Sequence, residues 1–498
     1  MKKISCLIVL LSLLCISCST TKKASYDPFQ KYSATQLRED FTVLENVLKS
    51  NHPSLYWYSS KATIDSYFNA TAALLNDSLT EQQFKNKVSW AVSKINCGHT
   101  TVRSSKQAAD YFSGKKLPQF PLMVKVWDDS AVVVVNMLPT DSVIKCGTVI
   151  TSINGKGIRP ILDSIFQLIG TDGYSNNFKY QVVSFNFPAF YRNSFGTDSQ
   201  YLIKYIDTFG EEKERVIKNY VPENDTMKNP GFLPGGIPRK ELRKLKLERR
   251  RNLVIDTSLN TAFLSVNTFS EGKLVRFFVR SFRKIHQQNI KNVVLDLRLN
   301  TGGSVLACAK LSQYLRDKPF RIADTIAAYS RTFPYKKHVK PWFLYWLSMH
   351  LSGRQYDDGR IHFRYFEKHY YKPKKKNHFN GKIYVLTGGY TFSAATLVTG
   401  NLKGQKNVTV VGEETGGGAY GNSAMFLTNI ILPNTGIRVT LPLYRMVLNA
   451  DLPKNGRGVL PDVEVKPSSV YIKEGIDVKL EKVKDLIKKN KSVVISAE

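Results

Sequence analysis

Three short segments contain residue types that together could carry out nucleophilic catalysis. In the first, Gly388–Ser393 (GGYTFS), a serine stands where a predicted strand gives way to a predicted helix. A hydroxyl at such a junction is exposed, and the backbone N–H groups that follow it are free to donate. A serine at this position most commonly caps the helix, so that alternative stays open.

The second segment, Asp296–Gly303 (DLRLNTGG), ends in a pair of glycines after a predicted buried strand. Gly302 and Gly303 can present bare backbone N–H groups near a helix N-terminus, where such groups stabilise an anion. The same pattern is compatible with a tight strand–helix turn and nothing more.

The third segment, Cys97–Thr100 (CGHT), places His99 directly after a glycine that can end a helix. A neutral imidazole can take a proton from a hydroxyl near pH 7 and return it to a leaving group. A single histidine is more often structural than catalytic, so this segment gains meaning only beside the other two.

These segments belong to a longer series of motifs. The series resembles the C-terminal processing (tail-specific) peptidases, the tricorn core proteins and the repeats of interphotoreceptor retinoid-binding protein. The matching pieces follow the family's order: CGHT at 97–100, a PDZ-like unit, FLSVNTF at 263–269, DLRLNTGG at 296–303, SAA at 393–395, VGEETGG at 411–417 and GVLPD at 458–462.

The resemblance implies a serine endopeptidase that hydrolyses peptide bonds of unfolded or tail-exposed proteins. Ser393 would attack the scissile carbonyl, and the oxyanion would be held by the N–H of Ala394 and one N–H from Gly302 or Gly303. The PDZ-like unit implies that a protein or peptide substrate is gripped by its C-terminal carboxylate or extended tail. No metal or organic cofactor is indicated.

One departure from the family pattern selects a branch. Peptidases of the Ser–Lys kind carry a lysine shortly after Thr-x-Gly, but Gly418 stands there in this chain. The resemblance therefore favours the tricorn-like Ser–His branch, with His99 as base. The glutamate that this branch places before Gly-Val-x-Pro-Asp is missing, so Asp451, or more weakly Asn455, is predicted to orient His99.

Glu413 and Glu414 are expected to shape their turn or to bind substrate. Because the orienting glutamate is missing, an alternative function stays open. This alternative is a catalytically inactive module that binds peptides or apolar ligands on the same fold, as the retinoid-binding relatives show to be feasible.

The elements around these motifs predict an α/β multidomain protein. Apolar positions between Leu37 and Leu48 recur with helical spacing, whereas later segments alternate strands with helices. The predicted parts are a helical N-terminal domain (24–112), a PDZ-like domain (117–217), a basic linker or insertion (218–252), a crotonase-like mixed α/β catalytic domain (253–475) with an insertion (334–380), and a C-terminal helix or tail (476–498).

Within that insertion, the run Pro341–Leu351 is unusually aromatic and is flanked by Lys and Arg. A core helix of a subdomain is the favoured interpretation. A lid and an interfacial segment lying on a bilayer are the alternatives.

The N-terminus has the pattern of a lipoprotein signal peptide over residues 1–18. A basic start is followed by an apolar stretch from Ile4 to Ile16, which is too short to span a bilayer comfortably. A serine directly before Cys18 predicts that Cys18 is lipidated. The expected location is therefore the cell envelope, lipid-anchored and facing the periplasm.

The formal net charge is +32, and part of it lies in two basic blocks at 239–251 and 372–376. Such a chain is attracted to anionic membrane surfaces. No nucleic-acid-binding motif accompanies the basic blocks, so nucleic acid is not expected as a partner. Cys97, Cys146 and Cys308 have neither metal-ligand spacing nor a disulfide pattern. Nothing in the sequence specifies an oligomeric state.

Overall fold

The computed structural model describes residues 26–222 and 238–495, with side chains described as far as residue 490. The first part is mainly helical, as predicted. Its elements are β1 (Lys31–Tyr32), α1 (Ala34–Asn51), α2 (Lys61–Ala73), β2 (Leu79–Thr80), α3 (Glu81–Ser93), β3 (Val102–Arg103) and α4 (Lys106–Phe112). Helices α1 and α3 each begin with a capping box, formed by Ser33 with Gln36 and by Thr80 with Gln83.

The second part is an antiparallel sheet with three helices. Its elements are β4 (Leu122–Trp127), β5 (Ser130–Asn136), β6 (Val149–Ile153), β7 (Lys156–Gly157), α5 (Ile158–Phe166), α6 (Asn177–Phe185), α7 (Phe187–Phe195), β8 (Gln200–Ile206) and β9 (Glu212–Lys218). The strand order is β4-β5-β6-β8-β9, with β7 paired to β6. This part buries its own hydrophobic cluster around Leu162, Phe187 and Tyr201. Helices α6 and α7 were not among the predicted elements.

The third part alternates strands and helices, as predicted. Its elements are α8 (Arg239–Arg250), β10 (Arg251–Asp256), β11 (Thr261–Val266), α9 (Leu274–Gln287), β12 (Asn292–Asp296), α10 (Val305–Leu315), β13 (Thr325–Ala328), a 3-10 turn (Lys336–His338), β14 (Val339–Lys340), α11 (Trp342–Ser352), β15 (Arg354–Gln355), β16 (Ile361–His362), α12 (Arg364–Lys368), β17 (Lys382–Thr387), α13 (Ala394–Leu402), β18 (Val408–Gly412), β19 (Gly421–Ile431), β20 (Arg438–Val447), β21 (Val463–Glu464), α14 (Ser469–Glu474) and α15 (Val478–Ile495).

Most strands of the first sheet in this part are parallel. Its order is β10-β11-β12-β17-β18-β21, and only β10 runs antiparallel to its neighbour. Strands β12 and β17 are in register, with Asp296 opposite Leu386 near their carboxyl ends. The loops that follow these two strands therefore meet at one edge of the sheet, where α/β proteins place their ligand sites.

A second sheet has the order β14-β19-β20-β13-β16-β15. Strand β3, which follows His99 closely in the chain, pairs with β20 through Val102 opposite Val439. The helical first part and the third part also share one buried hydrophobic cluster, which includes Phe41 and Val88 together with Leu264. The loop that carries His99 is thereby fixed to the same body as the parallel sheet.

The segments outside the sheets differ partly from expectation. The basic block forms helix α8, which has no buried residue, and it leads directly into strand β10. The prediction that the aromatic run forms a core helix is wrong for one face of that helix, α11. In α11 Met349 is buried and Trp346 packs on the core, but Leu344 and Leu351 are 63% and 81% exposed.

Within residues 26–222 and 238–495, none of the helices combines the length and the apolar character needed to cross a membrane. The predicted signal peptide, with Cys18, lies outside the described residues.

Candidate active site

Ser393 has a backbone conformation that residues other than glycine rarely adopt. Its φ is +53° and its ψ is −121°, and such a conformation costs about 1–3 kcal/mol. The residue precedes α13, but its side chain makes no capping hydrogen bond, so the capping interpretation of this serine is wrong. The strained turn leaves a half-buried hydroxyl that is not used to stabilise the helix end.

Hydrogen bonds to a neighbouring loop hold this turn. The Thr391 hydroxyl donates to the Leu297 carbonyl at 2.9 Å and accepts the Gly388 N–H at 3.1 Å. The Phe392 N–H donates to the Asn300 carbonyl at 3.0 Å. These bonds join the loops after β12 and β17, and the surrounding structure can therefore maintain the strain at the serine.

Gly302 lies directly against this serine. A Cβ placed on Gly302 would come within 2.7 Å of the Ser393 Cβ and 3.0 Å of the Ala394 nitrogen. The Gly302 N–H is already engaged, since it donates to Asn300 Oδ1 at 2.9 Å. Among the described residues, no acceptor is recorded for the N–H groups of Gly303 and Ala394, so these two amides remain available to an anion.

His99 lies near the site on the turn that follows α3. Its ring centroid lies 4.8 Å from that of Phe392, the residue before Ser393. Gly98 is packed so closely that a Cβ there would approach Phe392 Cζ to 2.6 Å. Within the described ranges no hydrogen bond joins the imidazole to the Ser393 hydroxyl, and catalytic hydrogen bonds are often long in ligand-free structures.

Phe392 is the point at which three parts of the chain meet. One face contacts His99, and Phe178 from α6 stacks on it with a centroid distance of 4.6 Å. The turn of His99 is fixed further by His52, whose Nε2 lies 2.8 Å from Thr100 Oγ1. Histidine and serine are therefore presented to the same aromatic ring by independently anchored segments.

The acid beside His99 is Asp172, in the loop between α5 and α6. Its Oδ1 lies 3.8 Å from His99 Nδ1 and accepts the Gly98 N–H at 2.9 Å. The two side chains are buried, with 2% exposed for the aspartate and 9% for the histidine. Asp172 is thus placed to orient the imidazole, which sequence reasoning did not find.

Asp451 and Asn455, the two residues predicted to orient His99, belong to the segment around Gly456. Asp451 is exposed, and Asn455 Oδ1 accepts the N–H of Arg457. In the described part of the chain neither makes a hydrogen bond or ion pair with His99. The segment itself is close to the site, since the Gly456 carbonyl accepts the Tyr174 N–H at 2.8 Å. The Asp-Gly pair at 172–173, in the loop after α5, is the sequence signal that could have indicated this loop.

The two glutamates of the VGEETGG motif have structural partners. Glu414 accepts the Gly458 N–H at 2.6 Å and binds the Arg457 guanidinium. Glu413 forms a buried ion pair with Lys479 of α15. Both contacts agree with the expected turn-shaping role, and they bind the motif to the GVLPD segment and to the C-terminal helix.

A cavity of about 550 Å³ opens beside the loop of the serine. It lies between the second part and the carboxyl edge of the parallel sheet, and its lining includes Lys125, Phe185, Arg298, Tyr390 and Lys479. Burial lowers the pKa of Lys125 to about 8, although Glu413 opposes the shift. The cavity therefore combines apolar walls with three cations, of which Arg298 and Lys479 are paired with carboxylates that also line it.

Comparison with known proteins shows which family and which folds the chain resembles. Residues 260–465 match the model of peptidase family S41. Mature CPAF is similar with a TM-score of 0.63 and 17% identity, over 92% of this chain and 97% of that chain. A point mutant of CPAF is similar with a TM-score of 0.65 and 16% identity, over 92% of this chain and 97% of that chain. CPAF complexed with lactacystin is similar with a TM-score of 0.63 and 17% identity, over 93% of this chain and 99% of that chain. These likenesses show a shared fold. No curated protein matches the chain.

The family match over the segment that carries Ser393 and the glycine pair makes this protein a serine-type peptidase, and its mixed α/β multidomain fold is that of such enzymes. The match to peptidase family S41 covers residues 260–465, somewhat less than half of the chain. The resemblance inferred from the order of the motifs is confirmed.

Proposed function

We propose that the protein is a serine endopeptidase in which Ser393 is the nucleophile, His99 the base and Asp172 the acid that orients the base. The observation that carries this proposal is the strained turn at Ser393, whose hydroxyl is not used for capping and lies against Gly302. Strain of this kind persists where the surrounding structure enforces it, and it clusters at catalytic positions.

In the first half of the reaction, Ser393 Oγ attacks the scissile carbonyl carbon and its proton passes to His99. The carbonyl oxygen becomes an oxyanion, which accepts hydrogen bonds from the N–H groups of Ala394 and Gly303. The imidazolium then gives its proton to the nitrogen of the leaving amine as the C–N bond breaks. The product of this half is an ester on Ser393.

In the second half, a water molecule loses a proton to His99 and attacks the ester, and Ser393 recovers its proton as the carboxylic acid product leaves. Asp172 supports both halves because its carboxylate faces Nδ1 of the same ring. Shortening the separation of 3.8 Å to a hydrogen bond requires about 1 Å of movement, of the kind that substrate binding produces in such sites.

Labelling with a fluorophosphonate probe and digestion of a denatured protein substrate test the proposal. We expect both signals in the wild type and neither in Ser393→Ala or His99→Ala. Ser66→Ala, at an exposed position on α2, is the matched control and should behave as wild type. Undiminished digestion by Ser393→Ala would show that another group is the nucleophile.

The substrates we propose are unfolded or tail-exposed proteins of the cell envelope, held by a free C-terminus. The cavity beside the loop of Ser393 supports this, because Lys125 can pair with a carboxylate while the apolar walls take side chains. We expect Lys125→Gln to raise KM for peptides with a free C-terminus but not for their amidated forms. Lys145→Gln, at an exposed position of the same part, should change neither.

We further propose that the protein works at an anionic membrane surface of the envelope, facing the periplasm. Helix α11 supports this proposal. On a helical projection Phe343, Leu344, Leu347 and Leu351 fall on one face, and all four are exposed, while Met349 on the opposite face is buried. Residues 334–380 carry 11 Lys and Arg against 3 Asp and Glu. An exposed apolar face with basic residues around it suits an anionic bilayer.

Flotation with vesicles tests this docking. The protein without residues 1–18 should float with anionic phospholipid vesicles at low salt and not with zwitterionic ones. Leu351→Ser should lose this binding, whereas Leu74→Ser, a control of similar exposure on the first part, should retain it. Equal binding by both variants would contradict the proposal. The proposal would also be contradicted if the wild type bound no vesicles but formed a dimer that Leu351→Ser dissociates. The exposed face of α11 would then pair with a second copy of the chain.

The lipid anchor is proposed at Cys18 and rests on the sequence alone. Metabolic labelling with a radioactive fatty acid should mark the full-length protein, and Cys18→Ala should abolish the label. A label that persists in Cys18→Ala would remove this proposal without affecting the catalytic one.

A further inference from the structure

Three side chains of different chemistry converge next to the catalytic imidazole. A sulfur from Cys97, one ring nitrogen of His99 and one carboxylate oxygen of Asp172 lie within 4.8 Å of one another. Cys97 and His99 come from the same turn, whereas Asp172 comes from the loop after α5. The cysteine has no role in the proposed peptide hydrolysis, so its position beside the two other groups calls for a separate explanation.

Two atoms of this cluster are buried without hydrogen-bond partners. Within the described residues, His99 Nδ1 and Asp172 Oδ2 are both fully enclosed and unpaired. An unpaired buried polar atom costs about 1–3 kcal/mol and is uncommon in native proteins. Both atoms belong to side chains at least nine-tenths buried, and each can donate an electron pair to a cation.

Cys97 supplies the third donor. Its side chain is 3% exposed, and its sulfur lies within 4.8 Å of the donor atoms of His99 and Asp172. A divalent cation at this point would satisfy the thiolate, the imidazole and the carboxylate together, with release of the thiol proton to solvent.

We propose that Cys97, His99 and Asp172 form a binding site for Zn²⁺ or a similar thiophilic divalent cation, and that occupation of this site inhibits the peptidase. Sulfur and nitrogen donors select such cations over Mg²⁺ and Ca²⁺, which prefer oxygen. Three protein ligands leave a fourth tetrahedral position for water. Tetrahedral zinc needs ligand atoms about 3.5 Å apart, so the side chains must close by roughly 1 Å.

The inhibition follows from the ligands that the ion would use, and this part rests on the proposed function. Coordination through Nδ1 holds the His99 ring in place and makes the imidazole a weaker base. The ion also neutralises Asp172, which can then no longer stabilise the imidazolium. The spacing of cysteines along the chain did not predict a metal site, because Asp172 is distant in sequence from the Cys97–His99 turn.

Cadmium binding tests the site independently of activity, since cadmium thiolates absorb in the near ultraviolet. The protein is used without residues 1–18 and with Cys146→Ser, so that the exposed thiol of Cys146 does not bind the metal. We expect one Cd²⁺ per chain with a thiolate absorption. Cys97→Ser should abolish the absorption and His99→Gln should weaken binding at least tenfold. Cys308→Ser, which removes the other buried thiol, is the matched control and should retain it.

The inhibitory role is measured on the same proteins by peptide hydrolysis with and without Zn²⁺. Zn²⁺ should inhibit the parent protein and EDTA should restore its rate. The Zn²⁺ concentration for half-inhibition should rise at least tenfold in Cys97→Ser, relative to that variant's own metal-free rate. An unchanged cadmium absorption in Cys97→Ser would overturn the site, and cadmium binding without zinc inhibition would overturn the regulation. A protein that binds Cd²⁺ but never hydrolyses peptides would instead refute the proposed function.

Discussion

Gly302 and Ser393 touch across two loops, so closely that a methyl group on Gly302 would lie 2.7 Å from the Ser393 Cβ. The φ of Gly302 is +102°, which is accessible to glycine and strained for other residues. Space and backbone conformation thus both require glycine beside the proposed nucleophile.

We therefore expect Gly302→Ala to lower kcat by a factor on the order of 10²–10³, the usual loss when one oxyanion donor is displaced. Steady-state peptide hydrolysis measures this effect. Gly400→Ala in α13 is the control, because a Cβ there meets only Val459 Cγ2 at 3.8 Å. Equal rates for the two variants would mean that the glycine pair does not shape the site.

The position of Asp172 makes a second prediction. Asp172→Asn should lower kcat by a factor on the order of 10⁴ with little change in KM, because the amide favours the wrong imidazole tautomer. Asp451→Asn should have no effect, since Asp451 is exposed and makes no recorded contact with His99 in the described residues. A large loss in Asp451→Asn with no loss in Asp172→Asn would assign the orienting role to Asp451.

The third prediction concerns acid stability. Burial lowers the pKa of His52 to about 3, whereas an unfolded histidine titrates near 6.5. Below about pH 6.5 the unfolded chain therefore binds a proton that the folded protein does not. The contribution of His52 to the free energy of unfolding is fully present above that pH. It falls by about 1.4 kcal/mol per pH unit down to about pH 3.

Urea unfolding at pH 7, 6, 5 and 4 compares the wild type with His52→Gln. Other groups titrate equally in both proteins. The difference between the two slopes of unfolding free energy against pH therefore isolates the contribution of His52. We expect the variant to be less stable at pH 7 and to lose stability less steeply on acidification. Parallel curves would show that His52 becomes protonated without unfolding.

The buried ion pair of Glu413 and Lys479 gives the fourth prediction. Lys479→Met leaves a buried carboxylate without its partner and should cost about 3–5 kcal/mol. The double variant Lys479→Met/Glu413→Gln should recover part of this loss. Lys403→Met, which breaks the more exposed pair with Asp462, should cost about 0–1 kcal/mol. Chemical denaturation measures all three, and a negligible effect of Lys479→Met would show that water reaches the pair.

Sequence reasoning was most reliable where local chemistry determines structure. The helical spacing between Leu37 and Leu48 falls within α1, and strands β12 and β17 precede the glycine pair and Ser393 as predicted. Residues 260–465 also match the family that the motifs indicated. Each of these signals lies within a few neighbouring residues.

The acid next to His99 was missed because its position depends on how distant segments pack. Asp172 reaches the imidazole only because the loop after α5 lies between the turn of His99 and the segment around Gly456. Helix α11 was misjudged for a related reason. Its residues are apolar on every side, and sequence alone does not reveal which side the rest of the protein covers.

The meeting of distant segments at Phe392 has a consequence for when the folding chain can become active. Ser393 and the proposed oxyanion donors lie within the matched segment 260–465, but the proposed base His99 and acid Asp172 lie well before it. An isolated copy of that segment would hold a hydroxyl with nothing to deprotonate it. Under the proposed mechanism the newly made chain therefore stays inert until its last strands have folded onto its first helices.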